Sequence, residues 1–175
     1  MGMVGLATDI WWPVLAYSLV GIAFLGPVEM AALCRHCPHY AGVGSRLRCI
    51  APNPFPKLFP YRPQPLNRIE RSVVILFSLF LLFFPSLVEA YGIWFFFVNG
   101  PEFALLGMVG VNLATAMAAL QFGYILTRHF CSRCVNFSCP LNCVPEATVV
   151  MYLERNPVIL AAWDKGRRMS ERRKL

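Results

Sequence analysis

Basic charge is missing from most of this chain. All sixteen Lys and Arg residues fall within residues 35–71 and 128–174, and residues 1–34 and 72–127 hold none. Charge of either sign is scarce: 14% of the 175 residues are charged against 57% hydrophobic, and mean hydropathy is +0.54. A chain this apolar cannot bury its hydrophobic surface inside one soluble core. No basic residue precedes the first apolar run and no small-x-small cleavage site follows it, so that run is expected to be retained rather than removed as a secretion signal. A Gly-rich phosphate loop, HExxH and GxSxG are all missing, which leaves no hydrolase or kinase signature and no expected catalytic residue.

Three apolar runs are present: Ile10 to about Met30, Ser72 to Val98, and Phe103 to Thr127. Each reaches the roughly 20 helical residues needed to cross a hydrocarbon layer of about 30 Å. Only helices and closed barrels satisfy their backbone in lipid, and no period-two alternation supports a barrel. The expected fold class is an all-α membrane protein with three transmembrane helices and a small cysteine-rich, metal-bound cytosolic cap. Its expected parts are residues 1–33, an outer stub and first transmembrane helix; 34–71, a Cys/Pro-rich loop; 72–127, a transmembrane hairpin; and 128–175, a Cys-rich basic tail. Three crossings put the loop and the tail on one side, and the positive-inside rule makes that side the cytoplasm of an inner or plasma membrane, with the N-terminus outside.

Several residues carry finer expectations. Trp11 and Trp12 suit an interfacial belt, Pro27 a kink, and Glu29 the headgroups. Six prolines between Pro52 and Pro65 favour an extended strap across the membrane face. The second run contains Pro85, Glu89 and Gly92, so it tilts, kinks or ends near Glu89; an early end leaves Glu89 in the outer headgroups, whereas a carboxylate inside the bilayer points to function. Gly110, Ala114 and Ala118, with Gly107, Thr115 and Ala119 beside them, form a small-residue face for this chain's own helices or for a second copy in a homo-oligomer. Asn112 and Gln121 are expected to bond across helices. In the tail, Pro145-Glu146 opens one helix and Asn156-Pro157 caps and opens another through Trp163. Six basic residues within 165–174 suit an anionic inner leaflet, and no nucleic-acid partner is expected.

All seven cysteines lie in the two basic stretches. In a reducing compartment, closely spaced cysteines are metal ligands or redox groups more often than disulfides. The first group is Cys34-Arg35-His36-Cys37-Pro38-His39 with Cys49 beyond; the second is Cys131-Ser132-Arg133-Cys134, then Cys139-Pro140 and Cys143. A CxxC turn aims two sulfurs at a common point, and tetrahedral zinc takes four ligands with Zn–S near ~2.3 Å. Two groupings fit: Cys131, Cys134, Cys139 and Cys143 as a local site, or Cys34 and Cys37 with Cys131 and Cys134 as a bipartite site that leaves Cys49 and Cys139 as a second pair. Cys143 is the natural spare, and the histidines are expected at the surface.

An iron–sulfur cluster uses the same thiolates, although the spacing departs from the ferredoxin run. Arg35, Arg48, His129 and Arg133 are placed to stabilise thiolates. Asn136-Phe137-Ser138 matches a glycosylation sequon on the wrong side of the membrane. The expected function is a zinc-type module, with Cys34, Cys37, Cys131 and Cys134 as first ligands and Cys139 and Cys49 next, in a structural role or in docking a membrane or cytosolic protein; the alternatives are a redox protein carrying an iron–sulfur or dithiol centre and a metal-handling transporter using Glu89.

The strings CRHCPHYAGVGSRLRC and CSRCVNFSCPLNCVP, with PKLFPYRPQPL between them, resemble a group of small uncharacterised prokaryotic membrane proteins. The likeness covers roughly residues 34–71 and 127–163. It implies a shared cytosolic cysteine module that follows transmembrane segments, from which Cys143 departs, and it implies no activity.

Overall fold

The structure, a computed structural model, describes residues 1–42, 44–47, 49 and 56–172, with 166–172 described by backbone alone. Among these residues all regular structure is helical, and a lone bridge between Arg46 and Pro56 is the sole pairing of extended backbone. Three helices are long and apolar enough to cross a membrane: Trp12–His36, Arg68–Asn99 and Glu102–Arg133. The chain divides into two compact units, Met1–Phe24 with Leu76–Tyr124, and Leu25–Ile75 with Ile125–Leu175.

In the first unit the expected outer stub is instead a short helix, α1 (Gly2–Thr8), ended by Asp9 in the left-handed region. Val4 is its anchor, buried where a Cβ on Gly92 would stand 2.6 Å from the Val4 side chain. Glycine at 92 thus makes the seat for α1 rather than breaking the helix that carries it. That helix, α4 (Arg68–Asn99), runs through Pro85 and Glu89, which rules out an end near Glu89. Proline removes one backbone donor, and the apolar residues on either side keep the rest of the ladder closed. Glu89 is 4% exposed, with Oε1 3.2 Å from the Met1 amino group and Oε2 lacking a partner among the described residues.

Helix α2 (Trp12–Ala23) packs on α4 through aromatic rings: Tyr17 stacks on Phe84 at 6.2 Å, Phe24 on Phe77 at 5.1 Å, and the Tyr17 hydroxyl donates to the Leu81 carbonyl. Helix α5 (Glu102–Ile125) contributes the fully buried Met108, and Asn112 bonds across to the Ser86 carbonyl as expected. Gln121 is exposed instead. The small-residue stripe is exposed at Gly107, Gly110, Ala114 and Ala118, and nothing lies within 4 Å of a Cβ built on either glycine, so among the described residues these positions do not pack on the chain's own helices.

In the second unit, two helix ends repeat one pattern. After α2 the helix widens to a π turn at Phe24–Val28 around Pro27, resumes as α3 (Glu29–Ala32), and tightens to a 3-10 turn at Cys34–His36. After α5 it widens at Leu126–Phe130 and tightens at Cys131–Arg133. Each CxxC therefore begins on a tight turn that closes a membrane-length helix.

The described part of the proline strap has no ladder of its own, so its backbone groups are met elsewhere. Leu58 N–H donates to Met30 sulfur, Phe59 N–H to the Tyr40 hydroxyl, and Arg62 N–H to the Arg35 carbonyl. Pro52 and Pro54 of the strap lie outside the described residues. Met30, Tyr40 and Leu47 form a small core with Cys34, Phe59 and Tyr61 packed against it.

The chain ends in α6 (Glu146–Arg155) and α7 (Pro157–Arg172), the latter longer than the expected stretch through Trp163. The Asn156 side chain does not cap α7: it donates back to the Tyr152 carbonyl at 2.7 Å and closes α6.

Candidate functional site: a cluster of thiols

The two CxxC turns are closed alike. Cys37 N–H donates to the Cys34 carbonyl at 3.0 Å, and Cys134 N–H to the Cys131 carbonyl at 3.5 Å. Past each second cysteine the backbone turns again, bringing the N–H two residues on toward the sulfur: His39 to Cys37, and Asn136 to Cys134. Cys139 repeats the device with Leu141 and adds Asn142. An N–H aimed at sulfur favours the thiolate over the thiol, so the same backbone feature occurs three times in one unit.

All seven thiols are free. Cys34 lies in electrostatic reach of Cys37, Cys49 and Cys134, and Cys37 in reach of Cys134, Cys49 and Cys139. Cys131 belongs with Cys134, Cys139 and Cys143. The fold thus gathers the two segments, with Cys37, Cys134 and Cys139 at the centre, Cys34 and Cys49 on one flank, and Cys131 and Cys143 on the other. Cys37 and Cys131 are buried, whereas Cys49 and Cys143 are exposed. Cys143 is held by its own neighbourhood, its N–H donating to the Cys131 carbonyl and its sulfur to the Leu141 carbonyl. Among the described residues, no three His, Cys, Asp or Glu side chains are arranged to hold a metal ion.

Asn136 joins the segments across a hundred residues of chain. Its Nδ2 donates to the Leu33 carbonyl at 3.0 Å, at the end of the first membrane-length helix, while its Oδ1 accepts from Ser138. Asn142 ties down the same loop through the Cys134 and Asn136 carbonyls. The apparent sequon is therefore a buried hydrogen-bond node, with Asn136 at 6% exposure. Phe137 packs edge-on against Tyr152, and both Tyr61 and Tyr152 lie near enough to sense Cys37.

Burial dominates the acidity of these thiols. It pushes Cys37 up to about 12; the His39 N–H pulls the other way, and Cys134, Cys49 and Cys139 add to the rise. Cys134 and Cys139 are also raised, again chiefly by burial. Among the described residues the expected help from basic residues does not arrive. Arg35 turns to Glu70 at 2.6 Å, Arg133 and His129 are exposed, and Arg48 lies outside the described residues.

Sequence reasoning missed three groups here. His36, expected at the surface, is 5% exposed, with Nδ1 2.6 Å from the Gln64 carbonyl and Nε2 3.3 Å from Glu70. Glu70 collects Arg35, Arg62, His36 and the Asn67 N–H. Its signal was available: it is the lone acid among Arg62, Arg68 and Arg71. Glu29, expected at the headgroups, lies in reach of Cys34 and Cys139.

No protein-family model, curated protein or solved structure matches this chain.

Proposed function

We propose an integral membrane protein, N-terminus outside, whose two cysteine segments form a cytosolic cap that binds zinc through Cys34, Cys37, Cys134 and Cys139. The cap's role is structural, or it docks a membrane or cytosolic protein. What supports the zinc reading is the threefold N–H-to-sulfur arrangement at Cys37, Cys134 and Cys139, because such groups stabilise negative sulfur in a pocket where burial alone would keep it protonated. A divalent cation that displaces those protons resolves the conflict, with side-chain rotation drawing the sulfurs together. Cytosolic placement rests on the confinement of every Lys and Arg to the two cysteine-bearing stretches.

The test is elemental analysis of protein purified without oxygen. A colourless preparation with about one zinc per chain is expected; Cys37→Ser and Cys134→Ser each lose the metal, and Cys143→Ser keeps it. Metal-free protein, or equal retention by all three variants, removes the proposal. The same N–H groups suit an iron–sulfur cluster, and a brown preparation containing iron and sulfide would replace zinc with that centre. Bound zinc also releases thiol protons, so its apparent affinity rises with pH.

A further inference from the structure

Between α3 and the first turns of α4 lies a groove of about 350 Å³. Val28, Ala31, Ile69 and Val73 line it, with Phe59 of the strap alongside, and its polar lining is Arg35 and Glu70. The small side chains of Ala31 and Ala32 make the room, next to the wide turn at Pro27. Ile69 is 76% exposed, so the groove opens outward. Its volume falls within the range of ordinary small-molecule sites, and both walls belong to helices apolar enough to cross a membrane.

Charge decides what fits. Arg35 and Arg62 both place guanidinium nitrogens on the same Glu70 oxygen, at 2.6 and 3.2 Å. One carboxylate cannot neutralise two guanidinium groups, and Arg68 and Arg71 flank it, both exposed. An apolar channel in a bilayer with surplus positive charge beside it complements a lipid that joins an acyl chain to an anionic headgroup. A choline headgroup would bring its own cation to the same place.

We propose that this groove binds an anionic phospholipid of the surrounding leaflet, with an acyl chain along Val28, Ala31, Ile69 and Val73 and the phosphate held by Arg35 and Arg62. The full chain, reconstituted in nanodiscs with equal phosphatidylglycerol and phosphatidylcholine and then transferred to detergent, is read by native mass spectrometry for retained lipid. Phosphatidylglycerol is expected to be retained over phosphatidylcholine by about tenfold. Arg62→Gln lowers that preference several-fold while leaving its backbone bond to Arg35. Ala31→Phe fills the groove and abolishes retention. Ile69→Trp fills it from the exposed wall and does the same in case Ala31→Phe fails to fold.

Equal retention of the two lipids overturns the anionic headgroup. Unchanged retention in Ile69→Trp overturns the groove as its site. Displacement of the lipid by millimolar inorganic phosphate shows an anion site without an acyl component, and overturns the proposal as well.

Discussion

Replacing Glu70 with its amide leaves two guanidinium groups and an imidazole without their carboxylate at a position where Glu70 and His36 are both buried. Glu70→Gln is expected to cost about 3 kcal/mol, the scale for removing one partner of a buried ion pair, seen as a lower thermal midpoint and faster alkylation of Cys37. Asn136→Ala orphans the Leu33 carbonyl and the Ser138 hydroxyl, for about 1–3 kcal/mol; unchanged stability would mean that water replaces the bond. Cys37 supplies a pH prediction whose sign follows from its raised value. Its folded thiol holds the proton to about 12 against an ordinary 9.0, so its contribution is whole below about pH 9 and is lost as pH climbs toward 12. The thermal midpoint of metal-free protein should therefore fall across that window, and Cys37→Ala should flatten the fall. Of this chemistry only Glu70, the lone acid among Arg62, Arg68 and Arg71, was legible in the sequence, because a buried His36 and an N–H aimed at sulfur depend on backbone placement. Cysteine spacing gave the CxxC turns and could not say which thiols across a hundred residues of chain would meet.

At the scale of elements, apolar runs located all three membrane-length helices, since hydrophobic length alone decides that question. Breakers were read too literally. Pro85 and Gly92 suggested a helix stopping near Glu89, yet proline deletes one donor and Gly92 leaves space for Val4. Gly92→Ala puts a carbon 2.6 Å from Val4, and α1 must shift to admit it at about 1–3 kcal/mol. Proteolysis or spin labels on α1 would register the shift, and a label signal like that of the natural chain would show that α1 sits there without needing the glycine. The stub became a helix for the same reason: nothing in residues 1–9 announces a partner for Val4 until the partner's missing side chain is seen.

For the whole molecule, the pattern of charge remains the strongest statement about orientation. Cys49 and Cys143 are both exposed, one from each segment, so a membrane-impermeant maleimide should label both in inside-out vesicles and neither in intact cells. Labelling of one from each side would end the single-cap reading. The wide turns before the two CxxC segments set the phase of everything after them. A wide turn spends one residue more than regular winding over the same rotation, so excising Thr127, inside the wide turn at Leu126–Phe130, would restore regular winding and leave Cys131 facing nearly the same way, whereas a one-residue deletion from the regular part of α5 would swing it by about 100°. Each membrane-length helix that leads into a CxxC segment thus takes up a spare residue just ahead of it, so the direction in which each cysteine pair leaves its helix is fixed before the pair begins.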